Sequence, residues 1–399
     1  MAILVGIGLS KNRDSYLAGK EAAHSAKQKI DSKNISLAFV FATTHFKLEQ
    51  LLAGIKEVLG NTPVVGSSGV GIITPSGIDS TAATVMLISS TKVKFAIAKE
   101  TDLDKKDLRI AGQKLAKAAL QNLGAAQREV FILFLDGLIK NGSSLISGIK
   151  ETLGISFPLI GGSSGDDLKF TKTYQFFRDE CLTNSAVATL IGGDATVRIG
   201  IRHGWKPLGK PRTVTSSAGN IIKTIDDKPA LSLYEEYFGK NNPDIRSGKL
   251  MHISVRYPLG IYLEGEEEYL LRNALWSDKD GSLICQGDVP QGATLKLMMG
   301  TKESALKAAA LAAETIKEMS KKHQPLKFAL IFDSFSRNRL LGRNAQDEIE
   351  LVKNILGNDI PFIGFYSYGE QAPLSSLDYR GQAHFHNESI AILGVGEQQ

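Results

Sequence analysis

The residues Pro158-Leu159-Ile160-Gly161-Gly162-Ser163-Ser164-Gly165-Asp166-Asp167 place a glycine–serine loop and two carboxylates directly after a short apolar run. Two kinds of chemistry are open to such a loop. Glycine lets the backbone approach a ligand closely, and successive amides can then form a nest for an anion. Gly161 to Gly165 also fits the G-x-S-x-G pattern of a hydrolase nucleophile elbow. Ser163 would be the nucleophile, with Asp333 and then His384 or His386 following in the order Ser, Asp, His. An elbow needs a helix straight after the serine, whereas Lys169 to Phe177 reads as strand. A binding loop is therefore the first reading, a serine hydrolase the alternative. No complete catalytic set is read anywhere in the chain, so an enzyme is not expected.

The loop has relatives within the chain. Pro63-Val64-Val65-Gly66-Ser67-Ser68-Gly69 and Pro361 to Glu370 have the same form, and each of the three follows a helical pattern ending in Leu-Gly. This points to a triplicated unit. Function is expected where the copies differ: Asp166 in the second, and Tyr366, Tyr368 and Glu370 in the third. Asp136 and Asp333 occupy equivalent positions after second strands, where a carboxylate either orients a ligand or caps its own turn. Arg337 either clamps an acidic ligand or belongs to a solvated loop. His384 and His386 share a strand face and suit a polar ligand, a metal or ordinary neighbours. The candidate ligand-binding set is Asp136, Gly161, Gly162, Ser163, Ser164, Asp166, Asp333, Arg337, Tyr366, Tyr368, Glu370 and His386, with no metal ligands assigned.

Strand–helix alternation must position these residues. It predicts an α/β fold of three βαβαββ-type repeats with mostly parallel sheet cores, ligands lying outside the carboxyl ends of the strands. The repeats cover about 1–92, 93–201 and 293–399, the last opening on a strand at Thr294 to Met299. Between them, about 202–292 reads as an antiparallel β-rich segment. It has a hairpin around Ser217-Ala218-Gly219-Asn220, and Asp227 caps a following helix. Two domains are expected, 1–222 and 223–399. The second and third repeats, with the inserted segment, are expected to form the main cleft.

Bulk properties narrow the class. The chain has 399 residues, 43% hydrophobic and 22% charged, with a formal net charge of +5. Its Lys and Arg are scattered, which argues against a nucleic-acid partner. Cys181 and Cys285 lie far apart without a CxxC pattern, so neither a disulfide scaffold nor a zinc site is expected. No apolar run is long enough to span a bilayer. The start of the chain reads as a strand rather than a signal peptide, and a cytoplasmic protein is expected.

Several motifs together resemble the FIST family over nearly the whole chain. They are Pro63 to Gly69, Pro158 to Asp167, His203 to Gly209, Asp227 to Ala230, Gly281 to Gly292, Leu340-Leu341-Gly342 with Glu348, Gly364 to Glu370, and Phe385-His386-Asn387. The resemblance implies N- and C-terminal FIST domains and a sensory module of signal transduction that binds a small ligand, an amino acid or similar polar metabolite. It also implies an alternative, a haem-based nitric-oxide sensor, although no histidine sits in a haem motif and no cofactor is required by the residues. No kinase, cyclase, methyl-acceptor or F-box segment is read, so the output partner is expected to be a separate protein such as a histidine kinase or cyclase.

Overall fold

The apolar runs Leu37–Thr43, Arg128–Leu135 and Leu326–Ser334 become central strands of three separate six-stranded sheets. The computed structural model describes residues 3–32, 34–266, 268–321, 325–374 and 381–398. From one edge, the first sheet runs Leu4–Ser10, Ala83–Ser89, Leu37–Thr43, Val64–Gly69, Gln175–Phe177, Glu180–Leu182. The second runs Val93–Glu100, Ala186–Gly193, Arg128–Leu135, Leu159–Ser163, Glu370–Pro373, Ala383–His386. The third runs Ala195–Arg202, Ile390–Glu397, Leu326–Ser334, Phe362–Ser367, Ile72–Thr74, Gly77–Asp79. All three sheets share one strand order.

The sheets are not mostly parallel. Each has one parallel pair, Leu37–Thr43 with Val64–Gly69, Arg128–Leu135 with Leu159–Ser163, and Leu326–Ser334 with Phe362–Ser367. The physical reason is the returning strand. Ala83–Ser89, Ala186–Gly193 and Ile390–Glu397 each insert between two strands that a helical crossover had left parallel, and pair antiparallel with both.

A hairpin follows each third strand and joins a neighbouring sheet instead of its own. Gln175–Phe177 pairs with Val64–Gly69, Glu370–Pro373 with Leu159–Ser163, and Ile72–Thr74 with Phe362–Ser367. The exchange is cyclic, so the three sheets form a closed ring and each covers another's edge.

The third sheet begins at Ala195–Arg202, not at Thr294–Met299. Ala195–Arg202 pairs with Ile390–Glu397 along eight residues, whereas Thr294–Met299 lies between Lys206–Ala218 and Leu259–Ile261 in a separate eight-stranded sheet. Every pairing of that sheet is antiparallel, as its turn-rich sequence predicts. The inserted segment therefore interrupts the third unit after its first strand. Asp227 does not cap a helix. It sits at φ 60° in the tight turn between Ile221–Ile225 and Lys228–Pro229, and the next helix is Ser232–Phe238.

The ring closes on a shared core. The inner faces of the three sheets contribute Phe39, Phe41, Phe134, Phe332 and Phe365 to one apolar cluster. Ring centroids lie 5.7 Å apart for Phe41–Phe134, 4.8 Å for Phe41–Phe365 and 6.1 Å for Phe134–Phe332. These are favourable separations for tilted aromatic pairs. Helices cover the outer faces. Two helix pairs approach through facing glycines: Gly19 packs on the Leu51 carbonyl and Gly54 on that of Tyr16, while Gly112 and Gly148 do the same against Leu145 and Arg109. A side chain at any of these would push the helices apart.

Candidate functional site

The three glycine–serine loops meet one another at the carboxyl ends of their strands, and all their serines are buried. Ser67 and Ser164 share a hydroxyl–hydroxyl bond of 2.7 Å, and the Ser68 hydroxyl donates to the Gly165 carbonyl at 2.7 Å. The Gln371 amide donates to Ser163 Oγ at 2.9 Å, and the Ser163 amide donates to the Gly369 carbonyl at 2.7 Å. These hydroxyls and amides are therefore spent on each other. The glycines have a packing role as well. A Cβ on Gly161 would stand 1.9 Å from the Leu133 carbonyl, and one on Gly162 would strike Phe365 and Phe332. No helix follows Ser163, so the elbow geometry is absent.

Asp136 and Asp166 also close turns. Asp136 accepts from the amides of Leu138 at 2.9 Å and Asn184 at 2.8 Å; burial raises its pKa and these bonds offset part of that rise. Asp166 accepts from the amides of Phe170, Thr171 and Lys172, and from the Tyr368 hydroxyl at 2.7 Å. Burial pushes its carboxyl up, but those bonds outweigh it and leave the pKa below the ordinary value. Phe170 stacks on Tyr368 at 4.8 Å. Tyr368→Phe is expected to destabilise the protein by about 1–3 kcal/mol, since a charged acceptor loses its donor. Chemical denaturation of the two proteins measures it.

The third unit differs. Asp333 and Tyr366 are register partners on adjacent strands, so their side chains share one face. Arg337 follows Asp333 by one turn, on a helix Phe335–Leu341 where a solvated loop was one of the two readings. Its Nε stands 3.1 Å from Asp333, its Nη1 donates to the His203 carbonyl at 2.6 Å, and its Nη2 donates to the Ala305 carbonyl at 2.8 Å and to Glu348. Arg337, Asp333 and Glu348 are all fully buried. Glu370 accepts from Ser367 Oγ at 2.6 Å and from the Ser389 amide at 3.2 Å, and Glu388 lies beside Ser336 and Asn273.

One buried arginine thus faces four buried carboxyls, Asp333, Glu348, Glu370 and Glu388. Several polar atoms there make no close hydrogen bond: the oxygens of Asp333, which has the Arg337 ion pair, both of Glu388, beside Ser336 and Asn273, Glu348 Oε2, and the Tyr366 hydroxyl, beside Asn338. Burial is the main force on the protons. It raises Asp333 well above its usual range, reinforced by Glu348, and does the same to Glu370. It pushes Glu388 up to about 8. Glu388 also carries a positive φ of 62°, a strained backbone for a residue other than glycine.

The candidate residues therefore fall into two adjoining groups. Gly161, Gly162, Ser163, Ser164 and Asp166 meet Tyr368 at the junction of the loops, with Asp136 in a neighbouring turn. Asp333, Arg337, Tyr366 and Glu370 meet in the buried polar cluster. His386 lies opposite Glu370, but its Nε2 donates to the Ala372 carbonyl at 2.8 Å. Glu348, Glu388, Ser336 and Asn273 complete the cluster and were not among the candidates. Glu348 was visible only as part of a family motif. Glu388 carried no signal, because its role depends on a backbone turn after Ala383–His386.

Among the described residues no three of His, Cys, Asp and Glu are placed to hold a metal ion. His203 accepts from the Trp205 amide and His386 is held by Ala372, while His252 stands 3.4 Å from Asp244. His323 lies outside the described residues.

The chain is thus a ring of three mixed α/β sheets with a polar cluster enclosed at the strand ends. The chain belongs to the FIST family: the FIST N domain matches residues 36–228 and the FIST C domain residues 230–373. FIST domains are sensory domains of signalling proteins. An uncharacterised protein of Methanocaldococcus jannaschii, MJ1623, is 23% identical over 88% of this chain and 69% of its own. Uncharacterised proteins of Mycobacterium bovis, Mb0898c, and Mycobacterium tuberculosis, Rv0628c, are 22% and 21% identical; each alignment spans 98% of this chain and 98% or 99% of the relative. Among solved structures, the cyanuric acid hydrolase of A. caulinodans aligns over the whole of both chains with a TM-score of 0.38 and 9% identity.

Proposed function

We propose that this chain is a sensory module that binds a small amine-bearing metabolite, an amino acid in the first instance, without turning it over. The site is the enclosed cluster of Asp333, Tyr366, Glu370 and Glu388. The observation that carries the reading is the set of fully buried polar atoms that make no close hydrogen bond, with four carboxyls around a single cation. Buried polar groups are nearly always hydrogen-bonded, and unanswered ones point to an occupant. An ammonium group supplies three donors and a positive charge, which is what four carboxyls around one arginine lack.

Other features support the same reading. Glu348, Tyr366 and Glu370, which belong to two of the family motifs, meet in this one place. The shared strand order of the three sheets supports descent from a triplicated unit. No helix among the described residues is long and apolar enough to cross a membrane. The signal then passes to a signalling output component.

Calorimetric titration of the full chain against the amino acids tests this. At least one is expected to bind, with protons released as the carboxyls ionise around the ammonium. The heat should then change with the ionisation enthalpy of the buffer. Asp333→Asn should weaken binding at least tenfold, since a charge-assisted bond is worth about 1.5–3 kcal/mol. If no amino acid or simple amine binds, only water occupies the cluster and the reading fails.

A further inference from the structure

The helix Phe335–Leu341 has a second side. Its buried face carries Arg337 to the polar cluster, while exposed Arg339 and buried Leu340 line a cleft of about 470 Å³ against the inserted segment. This space lies within the usual range for a small-ligand site. The inserted segment contributes Phe238 and Tyr257, whose rings stand 4.9 Å apart, together with Arg256 and His252.

The charges are not balanced inside it. His252 has Asp244 at 3.4 Å. Arg256 and Arg339 are both exposed, and among the described residues neither has a carboxylate within ion-pair distance. The Arg339 guanidinium stands over the Phe335 ring, 5.7 Å away. Arg256 and Arg339 therefore line the same cleft as Phe238, Tyr257 and Leu340. A guanidinium presents a planar fork that matches a carboxylate, and the aromatic and aliphatic lining suits a ring or short acyl chain.

We propose that this cleft is a second binding site, distinct from the enclosed cluster, for a small amphipathic organic carboxylate. The ring or chain lies on Phe238, Tyr257 and Leu340, and the carboxylate is held by Arg256 and Arg339. The site requires no occupant in the enclosed cluster.

Fluorescence titration of the full chain with 8-anilinonaphthalene-1-sulfonate tests it, with phenylacetate as the competing carboxylate. The dye is expected to brighten and to be displaced by phenylacetate. Arg256→Gln and Arg339→Gln should each weaken the dye by about tenfold or more, as loss of a charge-assisted contact implies. Both residues are exposed, so both variants should keep the parent melting temperature. Lys117→Gln, an exposed cation on the helix Leu108–Leu123 away from the cleft, should leave dye binding unchanged, which separates the two arginines from surface charge in general. Unchanged affinity in both arginine variants, or failure of phenylacetate to displace the dye, overturns the proposal.

Discussion

Arg337→Ala is expected to lower the unfolding free energy by about 3–5 kcal/mol, the usual cost of breaking a buried ion pair from one side. The guanidinium has no solvent to replace it. Asp333 and Glu348 would both lose their cation while fully buried, and the carbonyls of His203 and Ala305 would lose their donor. Those four groups come from four places: the end of a central strand, the helix Ala345–Leu356, the start of the inserted segment, and the helix Lys302–Lys321. Arg337 therefore fastens the inserted segment to the third unit. Lysine should not rescue it, because one ammonium cannot reach four acceptors in a planar fork. Arg337→Leu combined with Glu348→Leu should be less destabilised than Arg337→Leu alone, since only Asp333 is then left buried without its cation instead of two carboxyls. Chemical denaturation of the variants checks this. A loss below about 1 kcal/mol for Arg337→Ala would mean that the buried pair is not what holds the segment in place.

The central strands could be read directly, because runs such as Leu37–Thr43 have no polar face to confuse the reading. Leu-Gly endings and glycine–serine loops recur at matching points of the sequence, and the three six-stranded sheets share one strand order. What misled was pairing. Sequence order shows a helix between two strands and suggests that they are neighbours. It does not show that Ala83–Ser89 returns to lie between Leu4–Ser10 and Leu37–Thr43. The exchanged hairpins were hidden for the same reason. A three-residue strand such as Ile72–Thr74 has too short a pattern to announce itself, and its partner Phe362–Ser367 lies almost 300 residues away.

The site was partly legible. Tyr366 and Glu370 stood out because they replace small residues in an otherwise shared loop, and both enter the buried cluster. The shared glycines and serines proved to be the packing of three loops against one another. Asp136 and Asp333, equivalent in sequence, separated completely: one is satisfied by turn amides, the other has the Arg337 ion pair and makes no close hydrogen bond. The difference comes from what packs over each, and no local pattern records it.

Glu388→Gln is expected to leave stability nearly unchanged at pH 4 and to raise it progressively up to pH 8, by on the order of 4 kcal/mol at the top of that range. In the parent, Glu388 is pushed up to about 8 by burial, against an ordinary carboxyl near 4.5. A group whose folded pKa is raised holds its proton more tightly in the folded state. Between the two pKa values the folded chain therefore binds more protons than the unfolded one, and stability falls as pH rises. Glutamine copies the protonated carboxyl in size and in having a donor and an acceptor, but it cannot ionise. It keeps whatever the neutral group contributes and removes the slope. Asp333 and Glu370 push in the same direction, and buried His384 and His386, whose pKa values are lowered by burial, push the other way below neutrality. All four are present in both proteins, so the difference between the two curves reports Glu388 together with the part of the Glu370 shift that Glu388 causes. Melting temperatures taken across pH 4–8 in parallel decide it. Parallel curves would mean that Glu388 ionises normally in the folded protein. With a saturating amine ligand the order should reverse at pH 8, because an ammonium stabilises the ionised Glu388 of the parent and finds no charge on the glutamine.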